Sequence, residues 1–521
     1  MPLDVPVIGA RNAAWIAAQL HLFFAAFVLG APLFIVLCEY LGASKGAPNW
    51  KVRVPIAVLA VVVAAVIVAM AHRTVDKIIV VTAAGIVVAA VAFVKSSGDD
   101  RFERLAHETM KVVTIAYSLT AISGGLFAFI LMGPYGKLTT HLFEKFGPIF
   151  AVYGLLFFVE TILMYVYWYS WDRMKNRKTL HMSIGVLLNV VGTVMMFLMN
   201  AVGAYMLTPP KNVADAGLWS LINNPSWSGL NLHRFVANIT FGGLMVALFA
   251  AFMFLSARTK EDRAFYDWMG FIGNIIGVAT LMLLPLAGYV YAKELFLYDA
   301  VISTFMMADK LSFYFVLQGV LVSMLFLGAN YYMWMSIKRI SGSESLMGYM
   351  KPTFAVIFVA SAIWVTPQNF LSDLTATIPE GTAPTDILIP DRLAFLGLMM
   401  AKALAVTMII IFTFLTYMVY RRALSRGSIQ WGQISPQSQY ALVLIPAVAV
   451  YTMGLMGAVR ELARQDWHVF NVLKDTTPQA FTSPLAQMSL MVGIVTLLFF
   501  AFMAFIFWIG FVLSGREEEM A

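Results

Sequence analysis

The chain has 521 residues, of which 60% are hydrophobic and 12% charged, with a formal net charge of +7 and a mean hydropathy of +0.80. So few polar side chains cannot coat a soluble globule of this size, which excludes a soluble enzyme and leaves an all-α polytopic membrane protein. The excess of basic residues belongs to loops at a membrane face, so no nucleic acid is expected as a partner.

Apolar runs of about 20 residues, the length that crosses a bilayer, lie near 12–38, 54–71, 78–94, 111–133, 148–170, 182–207, 234–256, 267–291, 312–337, 351–366, 392–420, 439–459 and 485–514. These thirteen spans predict a single membrane domain, 1–521, with no internal repeat or low-complexity linker. The first apolar run is long and has no basic segment before it, so it is expected to stay as a span rather than be cleaved as a signal peptide.

Basic residues select the orientation. Lys45, Lys51 and Arg53, then Arg101 and Arg104, Arg173 to Lys178, Arg258 to Arg263, Lys338 and Arg339, and Arg421 to Arg426 all fall in alternate loops. The positive-inside rule puts that set in the cytoplasm, with the N-terminus outside and the C-terminal Arg-Glu-Glu-Glu tail inside. The other loops, 208–232 and 372–391 among them, then face outward. A prokaryotic cytoplasmic (inner) membrane is the expected location.

Charge accumulates at one span mouth, Arg460-Glu-Leu-Ala-Arg-Gln-Asp-Trp467, after the run 440–459. Ionisable side chains at such a depth are costly and mark functional sites, although a salt bridge from Glu461 to Arg460 or Arg464 explains them equally well. On the predicted topology His21 lies in the outer half of the first span, His233 opens the seventh, Met399 and Met400 stand about two turns into the eleventh, and Glu461 closes the twelfth. Four helices thus offer potential metal ligands at one membrane level.

With 32 methionines in the chain, a Met pair alone reads as core packing. An imidazole and a thioether on facing helices, however, make a six-coordinate low-spin haem site of raised potential. An imidazole and a carboxylate, by contrast, leave the iron partly open, which suits high-spin haems that bind a gas ligand. The single cysteine, Cys38, and the lack of a Cys-x-x-Cys-His run exclude covalent haem attachment.

Several segments in order resemble subunit I of the cytochrome bd-type quinol oxidases. Arg11, His21, Gly30 and Glu39 are spaced as in that family's first helix. Phe146-Gly-Pro148, Glu160 and Trp171-Asp-Arg173 are similar to its helix with a proton-path glutamate. His181-Met182, Tyr205-Met206 and Pro209 match further landmarks, and His233 with Phe241-Gly-Gly243 resembles its low-spin ligand helix. Leu398-Met-Met-Ala401 resembles the segment supplying the methionine, and Glu461-Leu-Ala-Arg-Gln-Asp-Trp467 the Glu-x-Gly-Arg-Gln-Pro-Trp signature.

The resemblance implies that His233 and Met399 (or Met400) hold a low-spin haem b and that His21 and Glu461 serve a pair of high-spin haems, of type b with haem d or a third haem b as variants. It implies that Arg464 balances Glu461 or binds a propionate, that Arg11 and Trp467 line the cofactor, and that Glu160 relays protons. It also implies a second membrane subunit, small single-span subunits, and quinol as a donor.

Departures from the pattern are specific. The segment 50–96 is an added two-helix insertion beside the first core helix (10–45) and the core helices 107–295. Helices within 310–370 replace a long quinol loop ahead of the final core segment 390–515. Tyr153 stands where a second proton-path carboxylate is expected, Phe127-Ala-Phe129 lacks a glutamate, Gly397 replaces an arginine, and Ala463 and Asp466 replace a glycine and a proline.

Three functions compete. The first is a terminal oxidase passing electrons through the low-spin haem to an O2-reducing high-spin site. The second is an electron-transfer subunit serving a periplasmic cytochrome c or multihaem partner without O2 reduction. The third is a haem-free transporter, against which the missing inverted repeat weighs.

Overall fold

The structure, a computed structural model, describes residues 9–43, 97–307, 311–366, 400–476 and 484–520, with isolated helical positions between 54 and 85. The helices are α1 (Ala10–Gly42), α2 (Asp100–Met132), α3 (Gly136–Tyr169), α4 (Lys178–Leu207), α5 (Leu218–Ile222), α6 (Trp227–Ser256), α7 (Lys260–Leu281) and α8 (Leu284–Tyr298). They continue with α9 (Ala300–Met307), α10 (Ser312–Lys338), α11 (Met350–Val365), α12 (Met400–Leu424), α13 (Pro436–Ala463) and α14 (Pro484–Met520). A small antiparallel hairpin, β1 (Trp467–Val469) and β2 (Leu473–Lys474), follows α13.

Among the described residues eleven helical segments are long and apolar enough to cross a membrane. The all-helical membrane architecture is therefore as expected, whereas the spans near 54–71 and 78–94 lie outside the described residues apart from isolated positions. The span expected at 267–291 is broken: α7 ends at Leu281 and α8 starts at Leu284 with Pro285 in its first turn. Proline has no N–H to continue the ladder of the preceding turn, so it fits a helix start. Asp99 caps α2 by accepting the Arg101 N–H at 3.0 Å, and Thr259 caps α7 by accepting the Asp262 N–H at 3.1 Å.

The core forms around α1 and α6, which the other helices enclose. Small residues set their crossing: a Cβ on Gly30 would lie 1.8 Å from the Asn238 carbonyl oxygen, and one on Gly242 would lie 2.7 Å from the Gly30 carbonyl carbon. Only glycine lets the two backbones touch in this way. Helix α2 packs antiparallel to α1, with Gly42 against Glu103 and Gly124 against His21.

Helix α4 also runs antiparallel to α1, with Gly185 at Val36 and Gly192 at Leu29. Helix α10 packs on α13, and α11 and α12 pair outside it.

At the Gly42 end of α1 a closed polar cluster joins three helices. His181 Nδ1 is 2.6 Å from Glu39 Oε1, the Tyr167 hydroxyl donates to Glu39 Oε2 at 2.7 Å, and His181 Nε2 donates to the Tyr167 carbonyl at 2.9 Å. Both Glu39 and His181 are fully enclosed. A second enclosed pair, Arg339 with Asp267, joins the end of α10 to α7, and the Gly432 N–H donates to Asp267 Oδ2 at 2.9 Å. Burying such groups is tolerable only with every charge paired.

Candidate functional site

Packing contacts fix the depth of each candidate residue. Counting eight residues from Leu29 to His21 along α1, and eight from Gly192 along antiparallel α4, puts Asn200 level with His21. Asn200 in turn donates to Asn231 Oδ1 at 2.8 Å and accepts from Arg234 Nη1 at 3.1 Å. His21, His233 and Arg234 therefore share one level of the bundle, contributed by α1 and α6. Each is half-buried.

His21 is oriented by α2. Its Nδ1 lies 3.1 Å from the Thr120 carbonyl oxygen and 3.3 Å from Ser123 Oγ. A carbonyl only accepts, so Nδ1 carries the proton and Nε2 presents its lone pair, the arrangement that metal-ligating imidazoles show. A Cβ on Gly124 would meet the ring at 2.9 Å, so this glycine is what lets the imidazole lie flat against α2.

His233 stands against α8, where Gly288 lies 3.6 Å from the ring when given a Cβ, and Tyr291 is stacked at 6.2 Å between centroids. Its Nδ1 is buried without a partner. An orphaned ring nitrogen inside a bundle is a cost that coordination through that same nitrogen would offset. Both histidines fit a haem iron.

Glu461 sits further toward the Ala10 end of α1. Gln19 packs on Gly457, so His21 is level with the residue two further back, which leaves six residues or roughly 9 Å along α13 to Glu461. Arg11 Nε donates to Glu461 Oε1 at 3.0 Å and its Nη2 to the Gln465 carbonyl at 3.0 Å, while Arg464 donates to Glu461 Oε2. Arg464 Nη1 also donates to the His468 carbonyl at 2.5 Å.

Burial pulls the Arg464 guanidinium below its ordinary pKa, and the charge of Glu461 opposes that shift. A carboxylate has about four acceptor sites, so these two pairings leave Glu461 able to take a further partner. His21 and Glu461 thus stand less than two helical turns apart along the bundle.

The hairpin after α13 closes this end. Trp467 is half-buried in β1 and donates its backbone N–H to the Arg464 carbonyl at 2.9 Å, and Phe470 donates to the Met206 carbonyl at 3.0 Å. His468 pairs with Asp475 at 3.1 Å and packs edge-on against Tyr135. Gln465 and Asn471 take left-handed backbone to make these turns.

Glu160, almost wholly buried on α3, faces Gly192 and Leu29 and so lies roughly 12 Å inward of His21. Tyr165 bonds Ser118 at 3.0 Å rather than Glu160, and Tyr117 bonds Thr161 at 2.6 Å beside it. Met399 lies outside the described residues, as does the side chain of Met400; the helix they introduce, α12, packs on α10 and α11.

His107 stacks on Trp168 at 5.0 Å near the start of α2, and His141 bonds the Tyr205 hydroxyl at 2.9 Å near the start of α3. Sequence reasoning missed the roles of Arg234, Arg460 and Asn200, whose only signal was polarity inside apolar runs. The salt bridge considered for Glu461 is formed with Arg464 and Arg11, while Arg460 turns away to the Gly203 carbonyl.

A family model described as cytochrome bd terminal oxidase subunit I matches residues 63–302 and supports a member of that family. The match carries α2 to α8, Glu160 and His233, and it begins inside the segment 50–96 that the sequence suggested was an insertion; His21 and Glu461 lie outside it. No curated protein matches the chain.

Proposed function

We infer, from a chain that is a member of the cytochrome bd terminal oxidase subunit I family, that it is the haem-bearing core of a multi-pass inner-membrane oxidase, working as that family does with a second membrane subunit. The coarse statement, a haem-containing respiratory oxidoreductase subunit, follows from the family. The finer reading is ours: His233 holds a low-spin haem b with Met399 as its second ligand, and His21 and Glu461 each hold one high-spin haem. The haems, when bound, supply one-electron chemistry and an open iron for O2.

The residues have distinct tasks. Thr120 and Ser123 hold the His21 ring with Nε2 unprotonated, so that the imidazole is a ready ligand. Arg11 and Arg464 hold the Glu461 carboxylate by charged hydrogen bonds to both of its oxygens at the closed end of the bundle. Glu160 is a proton station between the far face and His21, since proton movement at membrane depth needs titratable groups. Donor electrons enter at the Ala10 end, which we read as the outer face, from quinol or from another donor.

The observation that carries this reading is the pair of imidazoles at one level, one with its acceptor nitrogen presented and the other with a ring nitrogen unsatisfied. The alternative of electron exchange without O2 reduction draws on Tyr153, which occupies the position where a second carboxylate was expected. Replacing His233 by Ala tests the ligand assignment: loss of the low-spin haem signal is expected, and an unchanged spectrum would contradict it.

A further inference from the structure

Four arginines gather at the Ala10 end of the bundle, and only two of them meet a carboxylate among the described residues. Arg11 and Arg464 share Glu461. Arg234, from α6, meets the neutral Asn200 side chain at 3.1 Å, and Arg460, from α13, meets the Gly203 carbonyl. Arg460 Nε is buried without any partner. Arginine stays protonated in proteins, and a charge at membrane depth is held there only by a counter-charge or by function.

The two guanidiniums are a matched pair. Asn200 and Gly203 are one turn apart on the same face of α4, which sets the guanidiniums roughly 5 Å apart along that helix. Arg234 directly follows His233. The Tyr291 ring stacks on His233. The site therefore offers two planar, forked cations next to a ring-presenting histidine.

We propose that Arg234 and Arg460 form a bis-guanidinium site for the two carboxylates of a porphyrin, clamping the propionates of the haem carried by His233. The proposal rests on the haem assignment made above for His233. Forked pairing of guanidinium with carboxylate supplies the missing counter-charge and fixes the porphyrin edge at one register. The positive pair also favours the reduced iron, because it offsets the negative charge that reduction adds nearby.

The test uses the purified membrane protein with its native haems. R234Q and R460Q are each expected to speed haem transfer to excess apomyoglobin by about tenfold or more, as loss of a charged hydrogen bond implies, and to lower the midpoint potential of the low-spin haem. R234K and R460K, which keep charge but lose the fork, are expected to fall between. The parent, stripped and refilled with haem dimethyl ester, is expected to lose the ester about tenfold faster than haem. The double variant is expected to show no such difference, which isolates the arginine–propionate contact as a cycle.

Equal retention of haem and its ester by the parent overturns the proposal, even if the glutamine variants fail to fold. So does retention that responds to chloride or phosphate but not to esterification, since a free anion then fills the site. A parent that purifies without haem overturns the assignment on which the proposal rests, and is told apart from these outcomes by the missing pigment.

Discussion

Arg11 Nε stands 3.0 Å from Glu461 Oε1, joining the first described helix to the end of α13 across 450 residues of sequence. With Arg464 on the other oxygen, the carboxylate is held between two cations in a partly closed pocket. Removing it leaves both guanidiniums uncompensated. E461A is expected to cost about 3 kcal/mol of stability and to remove one high-spin haem. E461Q, which keeps hydrogen bonding, is expected to lose that haem with a smaller stability cost. Thermal inactivation and haem extraction of the two variants check both parts; equal haem content in E461Q and the parent would argue against ligation.

Gly124 determines where the His21 ring can lie. A valine there would push the imidazole off α2 and break its bond to the Thr120 carbonyl, since even a Cβ would come within 2.9 Å of the ring. G124V is expected to abolish ligand binding at the high-spin site while sparing the low-spin spectrum. CO titration of the reduced protein reads this directly.

Glu160 is the buried carboxylate of α3 nearest to the His21 level. E160Q keeps the shape and removes the titratable group, so proton uptake during turnover is expected to fall by about 10²-fold, in line with the loss of a proton-transferring side chain. Spectra should stay unchanged. Stopped-flow measurement with a pH dye in vesicles checks it, and unimpaired uptake would assign Glu160 a packing role.

The Glu39–His181 contact predicts a stability effect separate from any haem. His181 Nε2 donates to the Tyr167 carbonyl while Nδ1 meets Glu39 Oε1, so the ring is held on both sides. E39A breaks a fully enclosed pair and is expected to cost about 3–5 kcal/mol, whereas E39Q preserves a hydrogen bond and costs less. Detergent unfolding monitored by tryptophan fluorescence distinguishes them.

Much of this was legible in the sequence for one physical reason: ionisable residues inside apolar runs are rare enough to stand out, so His21, His233, Glu160 and Glu461 could be picked out singly. Their partners could not. Nothing in the run around Asn200 or Gly203 says that arginines from two other helices dock there, because that depends on the register between α4, α6 and α13. The Gly30–Gly242 crossing is equally silent, since glycine is common in apolar helices and only the backbone approach reveals its use.

Haem content tests the proposed ligands most directly. The protein purified from its native membrane, with whatever co-purifies, should give a reduced-minus-oxidised spectrum with a low-spin haem b band, a reduced-plus-CO shift from high-spin haem, and extractable haem. A low-spin band without CO reactivity would move the assignment to electron transfer without O2 reduction. A colourless preparation, with no haem on extraction, would contradict the central claim.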